Sequence, residues 1–244
     1  MKEDNDIFKK FRDSFSKIDG HFHILEQRVP VERQMEYFKY SEKIRKDQDK
    51  PDISKMDFSV FEDSLDDPES TVEHKKYVLS ILATSRQVKA YRILEEYAQA
   101  PDPDVADWAY MALMESRIAL ESELSDEKQI YISTGLGGKG EKLRFYVLIL
   151  ANELKPFLEY QKKVIEKAGC EIERLTIGEK YMELVFLIPV RADIKQALDK
   201  VINECNQYGN FLSQVFTITN VKELSAEEVE EIIKKNGGNS QASH

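Results

Sequence analysis

The stretch STGLGGKGEKLR, residues 133–144, gathers four of the chain's ten glycines with three cations, Lys139, Lys142 and Arg144. Glycines and lysine at such spacing bind phosphate when backbone N–H groups and a following helix N-terminus converge on its oxygens. Gly135 and Gly140 have the P-loop separation, but Glu141 and Lys142 stand where lysine and serine or threonine are required. Gly135, Gly137 and Gly140 reproduce a dinucleotide-binding spacing, yet the run that follows reads as a strand, not a helix. The loop therefore reads as a hairpin connection whose glycines supply positive φ. In that reading Gly135, Gly137, Lys139, Gly140, Lys142 and Arg144 form an anion or partner contact.

Other reactive residue types are sparse. His21 and His23, in GHFHILE, are two apart, but a closed metal site needs further ligands and no partner motif stands nearby, so the stretch reads as a polar loop. Glu171 and Glu173 alternate with Ile172, the pattern of a solvated strand face and not of an acid/base pair. Cys170 and Cys205 sit in apolar settings without a CxxC spacing or a neighbouring base, and read as buried thiols. Trp108, Tyr110, Met111 and Met114 share helical spacing, which makes them core before they are a binding surface. No serine, histidine and aspartate set can be assembled around His74, so neither an enzyme nor a cofactor nor a metal is expected.

Composition bounds the rest. With 244 residues, 41% of them hydrophobic, the chain can bury one or two cores. The first residues carry no apolar run of a secretory signal and no later stretch has the length of a membrane span, so a cytoplasmic protein that meets no membrane is expected. The net charge of −10 is concentrated: residues 57–126 hold 16 acids against 6 bases, while both flanks are near balance. Such a segment repels nucleic-acid phosphates and suits a basic protein partner.

These residues need elements to position them. Residues 3–17 and 31–47 read as amphipathic helices, the second with Val31, Met35, Phe38, Tyr40 and Ile44 apolar, and residues 46–55 as a linker. Shifting the chain by 33 residues sets Phe61 on Leu94, Glu62 on Glu95, Leu65 on Ala98, Pro68 on Pro101, Val72 on Val105 and Tyr77 on Tyr110. Each unit is a helix, an acidic turn with proline, and a second helix capped by Ser70 or Thr71, or by Asp102 or Asp104. DPDVADWAYMAL, residues 102–113, carries the proline and aspartate turn and alanine pattern by which residues 57–122 resemble HEAT-like repeats. That resemblance implies an α-solenoid fragment that scaffolds other proteins.

Beyond residue 125 the period changes to strands at 129–134, 143–151, 170–177, 181–190 and 213–221. A helix opened by Asn152, with Pro156 in its first turn, carries Leu154, Phe157, Leu158, Val164, Ile165 and Ala168 to Gly169. A second helix carries Ile194, Ala197, Leu198, Val201, Ile202 and Cys205, and a third begins with Ser225 and Glu228 in capping-box spacing. From 143 to 221 the order strand, helix, strand, strand, helix, strand resembles the ferredoxin-like fold, with one extra leading strand and one trailing helix. One sheet face takes both helices, leaving the other for the N-terminal helices or for a second copy in a homodimer.

The expected protein is thus α+β: a helical HEAT-like region over 1–126, a ferredoxin-like domain over 127–236 and a disordered tail over 237–244. It works as a non-enzymatic interaction protein, with a small-ligand module on the sheet or glycine loop as the alternative.

Overall fold

A computed structural model describes residues 20–47, 57–126, 129–152 and 158–237. The protein is mixed α+β, built from helices and a curled antiparallel sheet. Its described residues divide into two compact units, one up to Gly135 and one from Leu136 onward. The helix expected over 3–17, the linker core and the tail beyond 237 lie outside the described residues.

In the first unit, β1 (His21–Ile24) pairs in parallel with β2 (Gln129–Ile132). This corrects two expectations. Within GHFHILE, His21–Ile24 is a strand and not a loop, with Phe22 and Ile24 buried on one side. The strand at 129–132 belongs with the helices and does not lead the second sheet. Between the strands come α1 (Val31–Lys46), α2 (Ser59–Asp66), α3 (Val72–Thr84), α4 (Val88–Tyr97) and α5 (Ala106–Leu124). The 33-residue shift sets α2 on α4 and α3 on α5, and Phe61 with Leu94, Val78 with Met111, and Leu79 with Ala112 are buried in both. Thr71 caps α3 as expected, its Oγ1 accepting the His74 amide at 3.2 Å, whereas Asp102 Oδ1 accepts the Asp104 amide at 3.1 Å and so caps the single 3-10 turn Pro103–Val105 ahead of α5, which has no side-chain cap of its own.

Helix α1 follows Pro30 as expected, but its buried face is Gln34, Tyr37, Ser41 and Ile44. Met35 and Phe38, expected inside, are 53% and 38% exposed. The two polar residues are tolerated because each is bonded. Gln34 Nε2 donates to Val29 O at 2.7 Å and Thr134 O at 3.1 Å, and Ser41 Oγ reaches Glu115 on α5.

In the second unit, β3 (Gly138–Lys139) forms a short hairpin with β4 (Lys142–Ala151). Then follow α6 (Leu158–Lys167), β5 (Glu171–Ile177), β6 (Tyr181–Pro189), α7 (Ile194–Cys205), β7 (Leu212–Thr219) and α8 (Ala226–Gly237). The opening expected for this helix over residues 153–157, with Pro156, lies outside the described residues. The sheet order is β5, β6, β4, β7, every neighbour antiparallel, with β3 on the β7 side of β4. All six stripe residues of α7 are buried, and Asp193 caps it by accepting the Gln196 amide at 3.0 Å.

Register assigns the sheet faces. Arg144, Tyr146 and Leu148 on β4 share a face with Leu187, Val185 and Glu183 on β6. That face is covered by α8, whose Val229 packs with Leu136, Tyr146, Leu148 and Val185 while Ile232 and Ile233 close the margin. This cover is the chain's own C-terminal helix, which the expected arrangement left as a trailing element. Ser225 Oγ accepts the Glu228 amide at 3.3 Å and Glu228 Oε2 accepts the Ser225 amide at 2.8 Å, completing the capping box.

Candidate functional site

The glycine loop comes apart into anchored pieces. Leu136 is buried and its amide donates to Asn220 O at 3.0 Å. Gly137 and Gly140 have φ of +68° and +57°. The turn itself is only Gly140 and Glu141, a two-residue hairpin loop whose first position needs positive φ. Two of the three expected anion-binding cations already have anions. Lys142 Nζ lies 2.7 Å from Glu171, and Arg144 donates to both oxygens of Glu173 at 2.5 and 2.8 Å and to Leu136 O at 2.7 Å. Glu171 is held below the usual carboxylate range by the Lys142 hydrogen bond. Glu173 lies beside Glu171 on this face, as alternation with Ile172 expects, and the strand bulges between Ile172 and Arg174. Lys139 stands exposed on β3 beside Glu171. The arrangement ties sheet strands together, and Gly135, Gly137 and Gly140 shape the chain around it.

The residues that do converge on open space lie in the helical unit. One face of α5 supplies Met111, Glu115, Ile118, Ala119, Ser122 and Glu123, spaced four, three, one, three and one apart. Phe38 and Arg45 of α1, Ala83 and Thr84 at the end of α3, Arg86 in the following turn, and Tyr131 of β2 complete a groove of about 380 Å³. Its floor is apolar and aromatic. Phe38 and Tyr131 meet edge to face with centroids 5.8 Å apart, and the Tyr131 hydroxyl lies 3.5 Å from Met111 Sδ.

At the base sits Glu115. Tyr37 Oη donates to it at 2.6 Å, Ser41 Oγ reaches it at 2.6 and 2.8 Å, and Arg45 Nε stands 3.6 Å away. Burial, and then the Glu115 charge, hold the Tyr37 hydroxyl well above its ordinary pKa; burial pushes Tyr131 up to about 12. Both phenols are therefore neutral donors at physiological pH. At the rim Arg86 pairs with Glu123 at 3.0 Å. Arg86 has φ of +57°, a left-handed conformation that costs a non-glycine residue about 1 kcal/mol, and it carries a long side chain to the groove.

Sequence reasoning missed Glu115, a lone acid inside the apolar run MALMESRIAL, and its position was the available signal. Trp108 lies in the core as expected, its Nε1 donating to Ser80 Oγ at 2.9 Å with Lys76 over its ring. His23 Nε2 lies 2.5 Å from Gln129 Oε1 and 3.0 Å from Glu121 Oε2. Among the described residues no three His, Cys, Asp or Glu side chains gather to hold a metal. Burial pushes the thiols of Cys170 and Cys205 up to about 11, which leaves them poor nucleophiles. Among the described residues no helix is long and apolar enough to cross a membrane.

No family model matches the sequence, and no curated protein matches it either. Among solved structures, a chain from Deinococcus radiodurans R1 assigned as a transposase is similar over 42% of this chain and 93% of its own, with 13% identity and a TM-score of 0.27. A REP-associated tyrosine transposase bound to a REP hairpin is 12% identical over 48% of this chain and 74% of its own, with a TM-score of 0.26. A homoserine dehydrogenase from Thiobacillus denitrificans is 10% identical over 52% of this chain and 30% of its own, also at 0.26.

Proposed function

We propose that this is a non-enzymatic binding protein, in which a HEAT-like helical unit receives a basic segment of another protein and a ferredoxin-like unit accompanies it. The reading rests on the groove at Phe38, Met111, Ile118 and Tyr131, whose α5 wall belongs to the segment 57–126 with its 16 acids and 6 bases. An apolar floor with carboxylates at base and rim matches a lysine or arginine side chain, whose alkyl stem prefers apolar surface while its charge prefers an acid. Glu123, the more exposed acid, is the one an incoming cation would share with Arg86. The surrounding acidic helices add long-range attraction for a basic chain. The two helical hairpins in 33-residue register support the HEAT-like reading, and the strand order β5, β6, β4, β7 with crossover helices supports the ferredoxin-like one.

A small ligand at the glycine loop or on the sheet has less support. Lys142 and Arg144 are engaged by glutamates, and α8 lies over the sheet face that the crossover helices leave.

The test is calorimetry with short peptides rich in lysine and leucine, against matched peptides rich in glutamate and leucine. The basic peptides bind, less tightly as salt rises. Phe38→Ala and Ala119→Trp, which remove one wall and fill the groove, each weaken binding at least tenfold without changing the circular dichroism. Equal affinity for acidic peptides, or binding unaffected by both variants, overturns the proposal.

A further inference from the structure

Among the described residues, Arg86 is the one non-glycine with a positive φ. It stands two residues past the end of α3, where a chain leaving a helix in the left-handed conformation usually carries glycine. The turn is pinned on both sides of it. Ser85 Oγ donates to Leu82 O at 2.7 Å and accepts the Gln87 amide at 3.2 Å. Arg86 is thus held in a conformation that its own Cβ disfavours. What its side chain reaches is Glu123, at 3.0 Å, with the two side chains 66% and 47% exposed. An exposed pair of this kind stabilises a fold by no more than the left-handed backbone costs, so stability does not account for arginine here.

Glu123 is also placed against local preference. It lies in the last turn of α5, beside the negative end of the helix dipole, and that turn has no basic residue to offset it. Its contact with Arg86 is a single one, Nη1 to Oε1, and not the two-pronged pairing that makes arginine and carboxylate hard to separate. One turn earlier on the same face, Ala119 presents only a methyl group to the groove. An ion pair at the groove's rim is therefore easily exchanged, and both of its members sit where the fold alone would not put them.

We infer that Arg86 is an internal competitor for the partner's cation, an inference that rests on the reading that this groove receives a basic segment. Arg86 fills Glu123 in the empty groove, and a lysine or arginine of the partner has to contend with it for the carboxylate. A cation that brings nothing else gains no more from Glu123 than Arg86 already does. A segment that also lays apolar side chains on Phe38, Met111 and Ile118 gains from their burial and completes the exchange. The pair makes the groove answer to charge and apolar surface together, and it lowers affinity in doing so.

Calorimetry with a peptide rich in lysine and leucine tests this. Arg86→Gly removes the competitor and suits the left-handed turn, so its circular dichroism matches that of the wild type. It binds the peptide about three- to fivefold tighter, the worth of one exposed ion pair. Arg86→Lys, which keeps the charge, does not reproduce the gain. In Glu123→Gln no carboxylate is left to release, and adding Arg86→Gly leaves the affinity unchanged. That comparison separates exchange at Glu123 from a general loss of positive charge, which would tighten binding in both backgrounds. Equal or weaker binding by Arg86→Gly overturns the inference, as does a gain that persists beside Glu123→Gln; in both cases wild-type binding leaves the reading of the groove standing. If the wild type and Arg86→Gly both fail to bind basic peptides, that reading falls and this inference falls with it.

Discussion

Glu115 and Cys170 show how differently two buried reactive groups can be used. Glu115 sits where α1 and α5 meet, and the hydroxyls of Tyr37 and Ser41 compensate it. Nothing within several residues of it in sequence announces those partners, which arrive from more than seventy positions away. The caps were legible for the opposite reason. Thr71, Asp102 and Ser225 each bond an amide two or three residues on, so the local sequence contains both partners. The cysteines were legible as buried, and their chemistry follows from that. Burial raises both thiol pKa values from the ordinary 9.0 to about 11, and Glu204 adds to the effect at Cys205. An unfolded thiol ionises first, so the stability these groups contribute is intact below pH 9.0 and falls as pH rises towards about 11. Buried Tyr37 and Tyr131 act in the same direction. Urea midpoints should therefore drop across that window, less steeply in Cys170→Ala, and the disulfide reagent DTNB should react with both thiols only in denaturant. Fast labelling of the folded chain would contradict the burial.

At the scale of elements, helix and strand types followed from periodicity, and what they pack against did not. Helix α7 is legible in full because six apolar residues at 3.6-residue spacing admit one buried face. Helix α1 misleads because its inward face includes Gln34 and Ser41 while Met35 and Phe38 look out, so tertiary hydrogen bonds override the apolar stripe. Helix α8 was expected as an appendage after the last strand, yet it is the layer that closes the sheet's second face. Its capping box fixes where it starts, and Val229, at 6% exposure, fixes which side faces the sheet. Val229→Asp sets an unpaired carboxylate against Tyr146, Leu148 and Val185 and should cost about 3 kcal/mol. Glu230→Gln, on the solvent side of the same turn, should change little. Urea denaturation compares the two, and ANS fluorescence reports whether the face opens. If Val229→Asp is as stable as Glu230→Gln, α8 does not form this layer.

For the whole molecule, the decisive feature is where the chain leaves one core for the other. The change of period near residue 126 invites a boundary there, because helices end and strands begin. Strand character does not reveal which sheet a strand joins, and β2 returns to β1 across the entire helical segment. Side-chain hydrogen bonds mark the true crossing. Thr134 O accepts from Gln34 in the helical unit, while Leu136 O accepts from Arg144 in the sheet unit, with Gly135 between them. The glycine-rich stretch that resembles a phosphate loop is thus the place where the chain passes between two cores. A fragment of residues 20–135 keeps β2, the partner of Phe22 and Ile24, and keeps the acceptor for Gln34. A fragment of residues 20–126 loses both, leaving Gln34 only Val29 O to donate to, and uncovers Phe38 by removing Tyr131. The longer fragment should melt cooperatively, and the shorter should melt at least 10 °C lower or bind ANS without melting, since about 2 kcal/mol moves a domain of this size by roughly that much. Residues 136–237 should fold without 129–134. Equal melting of the two helical fragments would return the boundary to residue 126 and make β1 and β2 an ornament of the fold instead of part of its core.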